Sequence, residues 1–363
     1  TTHTVSSTST TVTATSGSVS GTSPTITTVA GPMSQLTLTQ APSATAQSGV
    51  PFSQQPVLQL RDAQGNAVTQ PNVSVTATIT AGGGTLGGVT LIQTDASGAA
   101  TFTDLSISGG SGGRTITFSA SGVSSATAGV TIGSGAASSI ALQDGNGQTA
   151  AAGTAVAIAP SVVVRDASNN PVAGVNVTFT VTNGGGTTSP PSGSTVSTDA
   201  SGVAALTSWT LGTTAGTNTV AASVAGLSGS PVTFTATGTT GPATQMTTSV
   251  GAQSATVNTP VPTDPSVLVR DANNNPVSGV AVTFAVTTGG GSISSPTGNT
   301  VVTNASGIAA LSSWTLGTAA GTNSIEATSA GLPTVAFTAT GTAGPATSIT
   351  VNGGNGQSAT VGT

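Results

Sequence analysis

Residues 175–182 read Val-Asn-Val-Thr-Phe-Thr-Val-Thr, which puts Val175, Val177, Phe179 and Val181 on one side of an extended strand and Asn176, Thr178, Thr180 and Thr182 on the other. Strict alternation with one polar side predicts an antiparallel strand with one face packed and one in water. The pattern returns at Val280, Val282, Phe284 and Val286, and at Val73, Val75, Ala77 and Ile79. A further strand is predicted at 232–237, with Val232, Phe234 and Ala236 inward and the intervening threonines outward. Clusters of Gly, Pro and Asn cut these runs into short strands, about seven to a unit. No segment keeps a helical period over three turns.

The pattern repeats along the chain. Arg-Asp-Ala occurs at 61–63, 165–167 and 270–272. Asp-Ala-Ser-Gly at 95–98 and 199–202 is followed by Asn-Ala-Ser-Gly at 304–307, and triple glycine falls at 82–84, 184–186 and 289–291. Three units are expected, at 31–135, 136–241 and 242–344. Residues 345–363 restart the pattern and are expected to form the first strand or strands of a following repeat. Residues 1–30 read as the last strands of a preceding repeat or as a Ser/Thr linker. The joints Thr-Thr-Gly-Pro-Ala-Thr (239–244) and Thr-Ala-Gly-Pro-Ala-Thr (342–347) are short and stiffened by proline. Strand lengths then give units of roughly 40 Å placed end to end as a rod.

Composition narrows the function. The chain has 363 residues, too many for one sandwich. Only 2% of the residues are aromatic, so each core must be thin and built from Val, Ile, Leu and a few Phe. Charged residues make up 4%, there is no lysine, and the four cations are Arg61, Arg114, Arg165 and Arg270. Such a chain cannot neutralise a run of phosphates, which argues against nucleic acid and anionic membrane surfaces as partners. Solubility falls to Ser, Thr, Asn and Gly, as in exported surface proteins. With no cysteine, disulfides and thiolate metal sites are excluded. No apolar run has membrane-helix length, and residues 1–30 lack the features of a signal peptide. The sequence reads as an internal piece or processed form of a longer exported protein.

Val-Leu-Val-Arg-Asp-Ala-Asn-Asn-Asn-Pro-Val-Ser-Gly-Val (267–280), Val-Thr-Phe-Ala-Val-Thr-Thr-Gly-Gly-Gly (282–291), Thr-Asn-Ala-Ser-Gly-Ile-Ala (303–309) and Val-Ala-Phe-Thr-Ala-Thr-Gly (335–341) resemble the bacterial immunoglobulin-like repeat of invasin/intimin-type surface proteins. The resemblance covers 31–344 three times over. It implies an all-β fold of tandem immunoglobulin-like antiparallel sandwiches, outside the cell, used as a spacer in adhesins. In such proteins the adhesive tip is a different, terminal domain.

Candidate chemistry is sparse. Asp271-Ala-Asn273-Asn-Asn275 has the spacing of the first half of a calcium loop, but Val282 stands where the bidentate Glu belongs. The other units read Asp62-Ala-Gln64-Gly-Asn66 and Asp166-Ala-Ser168-Asn-Asn170. Asp62, Asp166 and Asp271 share parity with inward residues, and are expected to close turns at the sandwich end by accepting loop N–H groups. Arg61, Arg165 and Arg270 lie on the outward parity, where the first two have Asp95 and Asp199 as potential partners. Trp209 and Trp314 correspond to Leu105, which favours core packing over sugar stacking. Triple glycine without Gly-Lys-Ser/Thr or a following helix is a strand connection, not a phosphate cradle. The sole histidine, His3, stands near the chain start, so no serine in the units has a histidine base.

The expected function is therefore a non-enzymatic stalk at the bacterial cell surface, with no catalytic, cofactor or metal site and with neighbouring repeats as partners. Two alternatives are a self-assembling filament of identical subunits joined through terminal strands and a carbohydrate-binding module.

Overall fold

The computed structural model describes residues 9–248 and 250–362. His3 lies outside the described residues. Three hydrophobic cores follow one another along the chain, running from Leu36 to Ile132, from Ile140 to Ala236 and from Met246 to Ala339. The regular structure is all β.

The second unit shows the plan. A three-stranded antiparallel sheet runs in the order Ala137–Asp144, Ser161–Asp166, Val203–Ala205. Facing it is a five-stranded sheet in the order Gln148–Ala151, Val232–Thr239, Gly216–Ser223, Asn176–Asn183, Thr195–Ser197. Thr187–Ser189 and Ser208–Thr210 form a separate two-stranded antiparallel sheet. The first and third units repeat the same sheet orders.

Each unit thus has ten short strands, more than the roughly seven that turn spacing predicts. The extra strands come from chain that changes sheets. Ala137–Asp144 pairs antiparallel with Ser161–Asp166; beyond a glycine turn, Gln148–Ala151 pairs parallel with Val232–Thr239, Gln148 opposite Ala236. A single opening strand therefore becomes two, and ties both sheets to the closing strand.

The alternating faces lie as the pattern predicts. Val177, Phe179, Val282, Phe284, Val75 and Ala77 are buried, while Val175, Val181, Val280, Val286, Val73 and Ile79 pack against the cores from their margins. Trp209 and Trp314 are fully buried, as is Leu105 at the equivalent place. Outward threonines bond across strands, as Thr182 does with Thr219 (2.6 Å) and Thr80 with Thr117 (2.8 Å).

The ends differ. Residues 9–27 form a hairpin, Thr13–Ser16 with Val19–Thr22, under a two-residue pairing of Ser9–Thr10 with Ile26–Thr27. Residues 343–362 carry no strand and are exposed. The equivalent strands Ala137–Asp144 and Ala243–Thr248 are held by antiparallel partners just downstream, Ser161–Asp166 and Ser266–Asp271. Ile349 is 99% exposed, where its counterpart Ile140 is buried.

Candidate functional site at the joints between units

The Asp turns of the second and third units sit where one sandwich meets the next. In the second unit Asp166 Oδ1 accepts the backbone N–H groups of Ser168 (2.9 Å) and Asn170 (2.8 Å). Its Oδ2 accepts the Asn170 side-chain amide (2.8 Å) and the N–H of Gly135 in the linker (2.7 Å). Asp271 does the same for Asn273, Asn275 and Gly241, and Asp62 for Gln64, Asn66 and Gly31. One carboxylate thus closes its own turn and fixes the incoming linker. With four N–H donors around it, it has no free face for calcium.

These bonds set the acidity of the group. Asp62 is lowered from 3.8 to about 2, with the Asn66 amide as the largest cause and the N–H groups of Gly31, Asn66 and Gln64 adding to it. Burial pushes Asp166 and Asp271 up, but the Asn170 or Asn275 amide and the linker N–H outweigh it, and both are lowered.

The asparagine four residues after the aspartate reaches into the preceding unit. Asn170 Nδ2 donates to Gly109 O (2.9 Å), and its Oδ1 accepts the N–H of Ser111 (2.7 Å). Asn275 repeats this with Thr213 O and the N–H of Ala215, both at 2.8 Å. Each amide reads a carbonyl and the N–H two residues on, and each is 5% exposed. The residue two after the aspartate adds a third tie. Asn273 donates to Ala152 O (2.9 Å), and the Ser168 hydroxyl meets that of Ser48 (3.1 Å).

The receiving loops are themselves held. Asn218, fully buried, accepts the N–H of Gly212 (2.9 Å) and donates to Gly216 O (3.1 Å), and Asn323 does the same in the third unit. In the first unit Arg114 takes this place. Its guanidinium, 8% exposed, donates to the carbonyls of Gly110 and Gly113. The linker also packs closely, since a Cβ on Gly135 would lie 2.7 Å from Ser48 O.

A cleft of about 430 Å³ opens beside the first joint, bordered by Ser48, Ser108, Ser138, Asp166 and Ser168. Asp166 is occupied there, and the Ser48 hydroxyl is bonded to Gly109 and to Ser168. Among the described residues no three His, Asp or Glu side chains gather as a metal site.

The structure gives the arginines other partners than the acids. Arg61 donates to Thr37 Oγ1 (2.9 Å) and Gly65 O (2.7 Å), and Arg165 to Asn169 O (3.0 Å). Asp95 and Asp199 instead close their own turns, at Ser97 and Ala99 and at Ser201 and Val203. Sequence reasoning saw the aspartates but missed the bridging role of Asn170 and Asn275. The available signal was internal, because Asn66, Asn170 and Asn275 are kept while Gln64, Ser168 and Asn273 vary.

A family model, that of SMCHD1 Ig-like domain 6, matches residues 31–133. Among solved structures, the chain is similar to the Escherichia coli adhesin FdeC at 21% identity, covering 86% of this chain and 100% of that one, with a TM-score of 0.43. It is similar to invasin, a bacterial integrin-binding protein, at 18% identity, covering 84% of this chain and 60% of invasin, with a TM-score of 0.39. Titin domains I67–I69 align over 86% of this chain and 100% of theirs at 9% identity and a TM-score of 0.38. No curated protein matches the sequence. The fold is that of tandem immunoglobulin-like sandwiches.

Proposed function

We propose that this chain is a structural stalk segment of an adhesin-like bacterial surface protein, working outside the cell without catalysis and holding another domain at a distance. The observation that carries the reading is the pair of amide bridges, Asn170 to Gly109 and Ser111 and Asn275 to Thr213 and Ala215. A spacer must transmit position from one end to the other, so its joints must resist bending. Two neutral hydrogen bonds contribute about 1–3 kcal/mol net at a joint, which favours the closed joint roughly five- to a hundredfold. The carboxylate behind each amide prevents it from rotating away, and the linker glycine is bonded to the same carboxylate. The low charge fits a segment that meets solvent and its own neighbours and recruits no polyanion.

The test is small-angle scattering and negative-stain imaging of the full chain over a concentration series. Straight, isolated particles are expected at every concentration, with a broader spread of end-to-end distances in the Asn170→Ala/Asn275→Ala double variant. Equal spreads in both proteins would remove the stalk reading. Long fibres with an axial repeat would replace it with a filament.

A further inference from the structure

The first unit carries the same latch as the other two, but nothing among the described residues closes it. Asn66 is oriented as Asn170 and Asn275 are. Its Nδ2 donates to Asp62 Oδ2 (3.0 Å), and Asp62 also holds the N–H groups of Asn66 and Gly31. Yet Asn66 is only half-buried, against 5% exposure for its two counterparts, and its Oδ1 has no partner among the described residues. Gln64, two residues after the aspartate as Asn273 is, is exposed. The linker side is already in place, because Gly31-Pro32 repeats Gly241-Pro242 and Gly31 is bonded to Asp62 as Gly241 is to Asp271.

The geometry points to a binding face at Asp62–Asn66 for one partner, a sandwich of this same type placed immediately before Gly31 on the polypeptide. The side chains state what the partner must present. Asn66 requires a carbonyl followed two residues on by an N–H, in a loop held open as Asn218 holds 212–216. Gln64 ends in an amide, as Asn273 does, so it carries a donor for a backbone carbonyl of the Ala152 kind. The second unit, with Ala152, Thr213 and Ala215, meets both demands. This extends the stalk reading to the near end of the segment and rests on the same closed joints.

The experiment compares the full chain with a chain in which residues 136–240 replace residues 1–30 ahead of Gly31. Side-chain amide exchange is followed by NMR, and unfolding by calorimetry. In the extended chain the Asn66 side-chain amide is expected to exchange at least tenfold more slowly. Asn66→Ala should lower the melting of the first unit two to three times as far in the extended chain as in the original, because two more bonds are lost. Unchanged Asn66 exchange and equal losses in both chains would overturn the proposal. The Asn170 amide, read in the same spectra, separates the two ideas. If Asn170 is protected and Asn66 is not, this inference falls alone; if neither is protected, the stalk reading falls with it.

Discussion

Phe118 and Ala77 face each other across paired strands of the first unit, and the same two places in the second unit hold Ala222 and Phe179, with large and small exchanged. The third unit follows the second, with Phe284 opposite Ala327. All six side chains are buried. A thin core admits one ring at this level, and either strand can supply it, because close packing fixes the total volume more strictly than its donor.

Size exchange makes a double-variant prediction. Phe179→Ala should cost about 3–5 kcal/mol by leaving a cavity. Ala222→Phe alone should cost about 1–3 kcal/mol by overfilling the site. Combined, they should cost less than the sum of the two, by a coupling of roughly 1–3 kcal/mol. Calorimetry of the full chain, following the transition of the second unit, reads all three values. Additive losses would show that the exchange is not a packing compensation.

The alternating faces of 73–79, 175–181 and 280–286 were legible because strand period and burial are local properties of the chain. The split opening strand was not. Gln148–Ala151 leaves the first sheet to pair with Val232–Thr239, and nothing local to 148–151 specifies a partner that distant in sequence. The joint was half legible. Asp166 announces a turn, but Asn170 bonds to the backbone of Gly109 and Ser111, and backbone groups leave no mark on the sequence.

Acid should loosen the turns and joints together. Asp62, Asp166 and Asp271 all have folded values below the ordinary 3.8, Asp62 at about 2. A lowered folded value contributes stability that is full above the unfolded value and lost as pH falls through the folded one. Melting temperature should therefore be flat from about pH 5 to 8 and should fall between about pH 4 and pH 2. Asp62→Asn should reduce the acid limb of the first unit, leaving the part that Asp95 contributes. A melting profile with its main step near pH 6.5 would contradict the assignment.

Asn304 closes its turn as Asp95 and Asp199 close theirs, accepting the N–H groups of Ser306 (2.9 Å) and Ile308 (3.1 Å). A carboxylate accepts such bonds more strongly than an amide oxygen. Asp95 shows the effect, being lowered by the Ser97 hydroxyl first and then by the Ala99 N–H. Asn304→Asp should raise the melting of the third unit by on the order of a few degrees at neutral pH. The gain should shrink as acid protonates the new carboxylate. A gain that persists at pH 2 would mean charge is not its source.

Triple glycine offers a graded test of backbone demand. Gly185 and Gly186 both have positive φ, +73° and +83°, but differ in surroundings. A Cβ on Gly185 meets nothing within 4 Å, whereas one on Gly186 would lie 2.2 Å from Thr210 O and 2.8 Å from Gly212 N. Gly185→Ala therefore faces only the left-handed backbone cost, about 1–2 kcal/mol. Gly186→Ala must also push apart the strand crossing and should cost about 3 kcal/mol or more. Gly84, the first-unit counterpart, has its nearest atom, Ser108 O, at 2.9 Å. Gly84→Ala should fall between the two. Urea titration of each variant, followed by the calorimetric transition of the affected unit, gives the ranking. Equal costs at Gly185 and Gly186 would show that φ alone, and not the crossing of Thr210 over the glycine, explains the triplet.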